Sequence, residues 1–306
     1  MVGLRMKWRL WLIAVLALAI GLLLYASRTN EPSYQGRALS RWLSDIEKSN
    51  DDLEAEPAMK AVRQMGTNAI PYLLDMMRAE DSKLKETVIT LLAKAHIHSI
   101  RIPDASSKQI RSILGFHALG PEASSAIPEL KALVSNPKIA SVAARALVEI
   151  GPAGVEAAVV GLADTNAIVR RETAGVLGFP GIVRFTINGT PARMAVLQAQ
   201  AEFAVPPLTR ALNDSDELTR ARAATSLGLL GQKPEIVVPA LIRNLQETKG
   251  WRVPASAAKG LGRFGTNAVS ALPALKAIAE HSDSRVREAV ATAIQSIETQ
   301  AKPRLE

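Results

Sequence analysis

Apolar and small residues recur along this chain at helical spacing, and the whole pattern then recurs with a longer period. In IASVAARALVEIG (Ile139 to Gly151) the first, fifth, eighth, ninth and twelfth positions are apolar or small, which lays one stripe along a helix. The same frame fits VRRETAGVLGFPG from Val169, TRARAATSLGLLG from Thr219 and VPASAAKGLGRFG from Val253. A fifth copy, VREAVATAIQSIE from Val286, lacks the closing glycine. A partner helix precedes each copy and is often entered through proline, at Pro71, Pro128, Pro206, Pro239 and Pro273. Proline suits a first helical turn, where its missing N–H has no intrahelical partner, and glycine suits a left-handed exit.

The closing positions are Gly66, His96, Gly120, Gly151, Gly181, Gly231 and Gly265, in steps of 30, 24, 31, 30, 50 and 34 residues. GPEASSAIPELKAL (Gly120 to Leu133) returns as GTNAVSALPALKAI (Gly265 to Ile278) at a constant offset of 145. The step of 24 predicts a degenerate first helix around Ile97 to Ser107, and the step of 50 an insertion at about 179–200. A two-helix hairpin with one apolar stripe cannot bury that stripe alone, so equivalent hairpins must stack. The expected fold is all-α: a right-handed α-solenoid of seven or eight hairpins over residues 37–306. Leu39, Trp42, Leu43 and Ile46 mark its first helix, and the polar run from Glu298 to Glu306 its terminal cap.

Ahead of this array, residues 1–27 carry Arg5, Lys7 and Arg9 and then an uncharged run from Leu10 to Ala26. Seventeen helical residues span about 25 Å, near the short limit for a bilayer. Trp8, Trp11 and Tyr25 sit at the ends of the run, where amphipathic rings favour the interface. The segment reads as a signal-anchor with its N-terminus inside, which would put the array on the periplasmic side of the cytoplasmic membrane. Leu24 and Tyr25 make a poor cleavage context; secretion after signal cleavage is the alternative. Residues 28–36 read as a polar tether.

Composition supports helix: 48% of the 306 residues are hydrophobic but only 4% aromatic, and β-branched residues do not alternate. The net charge of +8 suggests nucleic acid until four basic residues of the N-terminal thirty are set aside. The remainder holds 33 basic against 29 acidic residues with no Lys/Arg block, so no nucleic-acid partner is expected. The absence of cysteine removes disulfides, thiolate nucleophiles and Cys-ligated zinc.

The AIP-x-L first helix, the acidic turn and the Val-Arg start of the second helix together resemble the HEAT family, including the short repeats grouped with phycobilin lyases, over about residues 37–298. Turn and Val-Arg stand together at Asp164 with Val169-Arg170 and at Asp283 with Val286-Arg287; Asp214 and Asp216 precede Thr219-Arg220. The resemblance implies that Asp164, Arg170, Asp214, Arg220 and Asp283 hydrogen-bond between neighbouring repeats. Gly161 in place of an apolar residue, His96 in place of glycine and Lys85 in place of arginine depart from the pattern.

Chemistry is sparse. GLGRFG (Gly260 to Gly265) matches a dinucleotide fingerprint in letters, but its glycines close a helix instead of following a strand. His96 and His98 would share a face of an extended segment as a metal pair, yet with four histidines in the chain and no adjacent acids they read as a repeat exit. Nucleophile elbows, phosphate loops and HExxH are absent, and no cofactor is expected. Candidate partner-binding residues are Arg171, Arg222, Arg252 and Arg287 on the second helices, and Arg184, Phe185 and Asn188 in the insertion, where Asn188-Gly189 is a tight-turn signal. These features point to a membrane-anchored scaffold for unidentified proteins, without catalysis. The alternative is a lyase-like or cofactor-handling protein with one concave small-molecule site.

Overall fold

A computed structural model describes residues 31–81, 83–94, 104–178 and 202–301. A two-residue-stranded hairpin, β1 (Ser33–Tyr34) with β2 (Arg37–Ala38), leads into α1 (Leu39–Lys48) and α2 (Asp52–Met65). Then follow α3 (Ile70–Met77), α4 (Lys83–Lys94), α5 (Ala105–Leu119), α6 (Ile127–Val134), α7 (Ala140–Ile150) and α8 (Pro152–Ala158). The rest of the array is α9 (Ala167–Leu177), α10 (202–211), α11 (Glu217–Leu230), α12 (Pro234–Leu245), α13 (Arg252–Phe264), α14 (Leu272–Ala277) and α15 (Ser284–Ala301). Among the described residues no helix is long and apolar enough to cross a membrane; the expected anchor lies outside them. So do His96, His98 and the insertion with Arg184, Phe185 and Asn188.

The second helices stack in the order α2, α5, α7, α9, α11, α13, α15. One buried core runs along them from Leu39 to Ile297. The stripe positions carry it: Ala143, Ala146, Leu147 and Ile150 are buried in α7, and Ala257, Leu261 and Phe264 in α13. Most of the degenerate first helix expected around Ile97 to Ser107 lies outside the described residues. Residues 105–107 already belong to α5, which packs on α3, α1 and α2 as the second helix of α3. Helix α4 is an excursion between them with no comparable packing among the described residues, and it leaves Ile89 and Leu91 half exposed. That makes seven stacked hairpins among the described residues, and it explains why α4 has neither a closing glycine nor the arginine.

Gly66, Gly120, Gly151, Gly231 and Gly265 all have positive φ, which only glycine adopts without strain. Among the described closing glycines, the expected left-handed exit occurs only at Gly231 (φ 61°, ψ 23°). Gly66, Gly120 and Gly265 lie near φ 54°, ψ −130°, the first corner of a type II′ turn, which feeds the chain straight into a 3₁₀ segment. Those segments place Pro71, Pro128 and Pro273 in the first turn of the α-helix proper. Pro239, expected at a helix start, sits inside α12 because that helix already begins at Pro234.

From α9 onward, glycines let the second helices approach one another closely. A Cβ on Gly178 would lie 2.2 Å from Ser226 Cα, one on Gly228 2.4 Å from Gly260 Cα, and one on Gly262 3.0 Å from Ala293 Cα. Each glycine is the tenth position of its repeat, and each facing residue the eighth of the next. The GLGRFG letters are thus a packing seam. In α15 the tenth position is Gln295 and the third is Glu288, both exposed, so the seam ends in a polar cap. Ser226 also donates from its buried hydroxyl to the Ala174 carbonyl at 2.6 Å, across the seam. Ser226→Ala is expected to cost about 1 kcal/mol by urea denaturation, the net worth of one buried hydrogen bond.

Candidate functional site: the turn ridge and second-helix face

The turns before the second helices share one local design. Asn166 N–H donates to Asp164 Oδ1 and Asp216 N–H to Asp214 Oδ1, each at 2.8 Å. Asn166 and Asp216 then cap their helices by accepting from Ile168 and Thr219 N–H. In the last turn Asp283 N–H donates to His281 Nδ1 at 3.0 Å. His281 therefore takes the place of Asp164 and Asp214, and Asp283, read from the sequence as their equivalent, takes the place of Asn166 and Asp216. Asp283 is drawn down to about 2, chiefly by the hydrogen bonds from Arg285.

The arginine at the second repeat position reads both its own turn and the next. Arg170 Nη1 donates to the Asp164 and Thr165 carbonyls, while Nε and Nη2 grip the Asp214 carboxylate at 2.8 and 2.9 Å. Arg220 repeats this with the Asp214 and Ser215 carbonyls and with Glu247 at 3.1 and 2.9 Å. Burial pushes the Asp214 carboxyl up, but hydrogen bonds from Arg170 and Asp216 N–H outweigh it, and the net shift is down. In α13 the corresponding residue is Pro254, and the following turn carries His281 in place of a carboxylate. Where the donor is absent, so is the acceptor. Arg287 keeps the bonds to its own turn, at His281 and Ser282, and among the described residues pairs with no carboxylate across a seam.

A second row of charges lies beside the first. Arg171 pairs with Asp216 at 3.3 Å, Arg222 with Glu172 at 2.9 Å, and Arg252 with Glu217 at 3.6 Å, each across a seam. The four candidate arginines are thus spread along α9, α11, α13 and α15, and the first three are held by carboxylates. Trp251 adds an aromatic surface, with the Arg285 guanidinium 3.7 Å and that of Arg252 5.1 Å from its ring centre. Lys259 and Arg263, one turn apart on α13, are exposed and pair with no carboxylate among the described residues. Neither was singled out from the sequence; their helical i, i+4 spacing is the signal that places them on one face.

One cluster had no sequence signal. His117 Nδ1 lies 2.8 Å from Glu149 Oε2, between α5 and α7, and the Glu149 side chain is only 4% exposed. Arg145, one turn before Glu149, is held below its usual value by burial, against the pull of Glu149. Among the described residues no group of three or more His, Asp or Glu is placed to hold a metal.

Stacked helical hairpins joined by an arginine ladder define the chain as a helical repeat protein. Residues 238–306 match the family of HEAT repeats, so the last two hairpins carry repeats of that kind. No curated protein matches the sequence. Among solved structures the chain is similar to an engineered protein (18% identity, TM-score 0.42, covering 86% of this chain and 97% of that one). It is also similar to a designed armadillo repeat protein in complex with the peptide (KR)4 (14% identity, TM-score 0.42, covering 85% and 99%). A third is the complex of CpcE and CpcF of phycocyanin lyase from Nostoc sp. PCC7120 (17% identity, TM-score 0.32, covering 87% and 97%). These likenesses are too distant to carry any functional inference.

Proposed function

We propose that the chain is a scaffold that binds protein partners along its second-helix face without turnover, anchored by its N-terminal segment on the outer side of the cytoplasmic membrane. The supporting observation is the distribution of charge. The paired arginines and Trp251 run from α9 to the last turn as an extended surface whose side chains are already ordered by carboxylates, so little side-chain entropy remains to be lost on binding. Photo-crosslinkers at Thr225, Ser256 and Lys259 in the native membrane are expected to give one reproducible protein adduct that a crosslinker at Ile236, on a first helix, does not give. The same adducts from both faces, or none from either, would overturn the reading.

The lyase-like reading draws on the His117–Glu149–Arg145 cluster, where among the described residues a buried acid, an imidazole and a guanidinium converge. It requires His117→Ala to abolish function while Lys259→Glu leaves it unchanged; the scaffold reading requires the reverse.

A further inference from the structure

The residues that follow the apolar N-terminal segment are built into the first repeat. Gln35 and Gly36 both take positive φ to turn the hairpin, and Leu39 N–H donates to the Pro32 carbonyl at 2.9 Å. The Glu31 carboxylate accepts from Ser40 N–H at the start of α1 and faces the Tyr72 side chain on α3. Burial first and Glu31 second push Tyr72 up to about 12, so this phenol stays protonated as a donor. Arg37 bonds Asp45 and lies 4.3 Å over the Trp42 ring, and Tyr34 packs on the core. Arg111 on α5 pairs with Glu47 of α1 at 2.8 Å, tying the same unit to the next hairpin. Residues 31–36, expected from the sequence to belong to a polar tether over 28–36, are thus packed into the first repeat, while 28–30 lie outside the described residues.

We infer that residues 31–38 clamp the array directly beneath its anchor, so that α1 faces the lipid headgroups and the second-helix face projects away from a fixed end. This rests on the anchored reading above. Only residues 27–30 separate the apolar run ending at Ala26 from Glu31, and four residues reach at most about 14 Å. The far end of the array, six helix-to-helix steps away, stands up to about 60 Å off.

The chain has no cysteine, so single labels are clean. The full chain is inserted by cell-free synthesis into phosphatidylethanolamine–phosphatidylglycerol vesicles carrying a headgroup energy-transfer acceptor, with a donor dye at Arg41→Cys or at Thr299→Cys. The Arg41 donor is expected to be strongly quenched and the Thr299 donor not. A long Gly/Ser insert between Asn30 and Glu31 should relieve the quenching while the chain still sediments with the vesicles. Sedimentation with equal quenching at both sites overturns the clamp and leaves the anchor. Failure to sediment overturns the anchor and this inference with it. Hydrogen exchange tests the clamp separately: Glu31→Ala is expected to speed exchange of the Ser40 amide by about tenfold or more, with Tyr72→Phe between it and wild type. Unchanged Ser40 exchange in Glu31→Ala overturns the clamp.

Discussion

Gly228→Ala is expected to destabilise the array by about 2 kcal/mol or more, although alanine is the better helix former by about 1 kcal/mol. The ideal Cβ lies 2.4 Å from Gly260 Cα and 3.2 Å from Gly260 O. No rotamer can yield, because the obstacle is backbone, so α11 and α13 must separate and the seam loses dispersion contacts along its length. In a stacked array stability is a sum over hairpins and their interfaces, so weakening one seam uncouples what lies on either side. Unfolding followed by circular dichroism in urea should change from one transition to two. Gly175→Ala is the contrast: its Cβ would meet only the Arg222 side chain, at 3.2 Å or more, and that side chain is 42% exposed and can give by a few tenths of an ångström without breaking its pair with Glu172. It is expected to be neutral or slightly stabilising. If both substitutions move the midpoint the same way, close backbone approach is not what these glycines provide.

The contrast shows where the fold was legible in the sequence. A stripe at positions 1, 5, 8, 9 and 12 specifies which face of each helix is buried, and the structure buries all five in the repeats of α7, α11 and α13 and the first four in that of α9, whose twelfth lies outside the described residues. The glycine exits were legible because positive φ leaves few alternatives. Their ψ was not, since glycine tolerates the type II′ corner and the left-handed well alike. The excursion at α4 was misread because its apolar residues have helical spacing, and periodicity cannot say whether a helix has anything to pack on. The hairpin at Ser33 to Ala38 was missed because Gln35-Gly36 is a weak turn signal and its clamp depends on Tyr72, far along the chain. The turns illustrate the same limit: Asp283 looked equivalent to Asp164 by residue type, yet its register places it two residues later. Charge pairs across seams depend on how far each helix is rotated against the next, which residue types alone do not encode.

Arg170→Met should cost about 3 kcal/mol near neutral pH, because it leaves the Asp214 carboxylate without its bidentate partner at a site where the two side chains are only 14% and 11% exposed. Arg170→Lys is expected to recover less than half of the loss, since an ammonium cannot hold Asp214 with two parallel bonds and reach the Asp164 and Thr165 carbonyls as well. Arg287→Met removes only bonds to its own exposed turn, and its cost should stay below about 1 kcal/mol. Acid discriminates the two. The folded Asp214 carboxyl lies below its unfolded value of about 3.9, so its contribution is complete above that pH and is lost as pH falls through the folded value. In Arg170→Met the burial that already pushes Asp214 up acts without the guanidinium, and protonation relieves the variant instead of harming it. The gap between wild type and Arg170→Met, measured by urea midpoints, should therefore narrow as pH falls through about 3.9 towards the lower folded value of Asp214, while the gap for Arg287→Met stays flat. A gap for Arg170→Met that persists undiminished in acid would mean that Arg170 acts through packing of its aliphatic stem and not through the Asp214 pair.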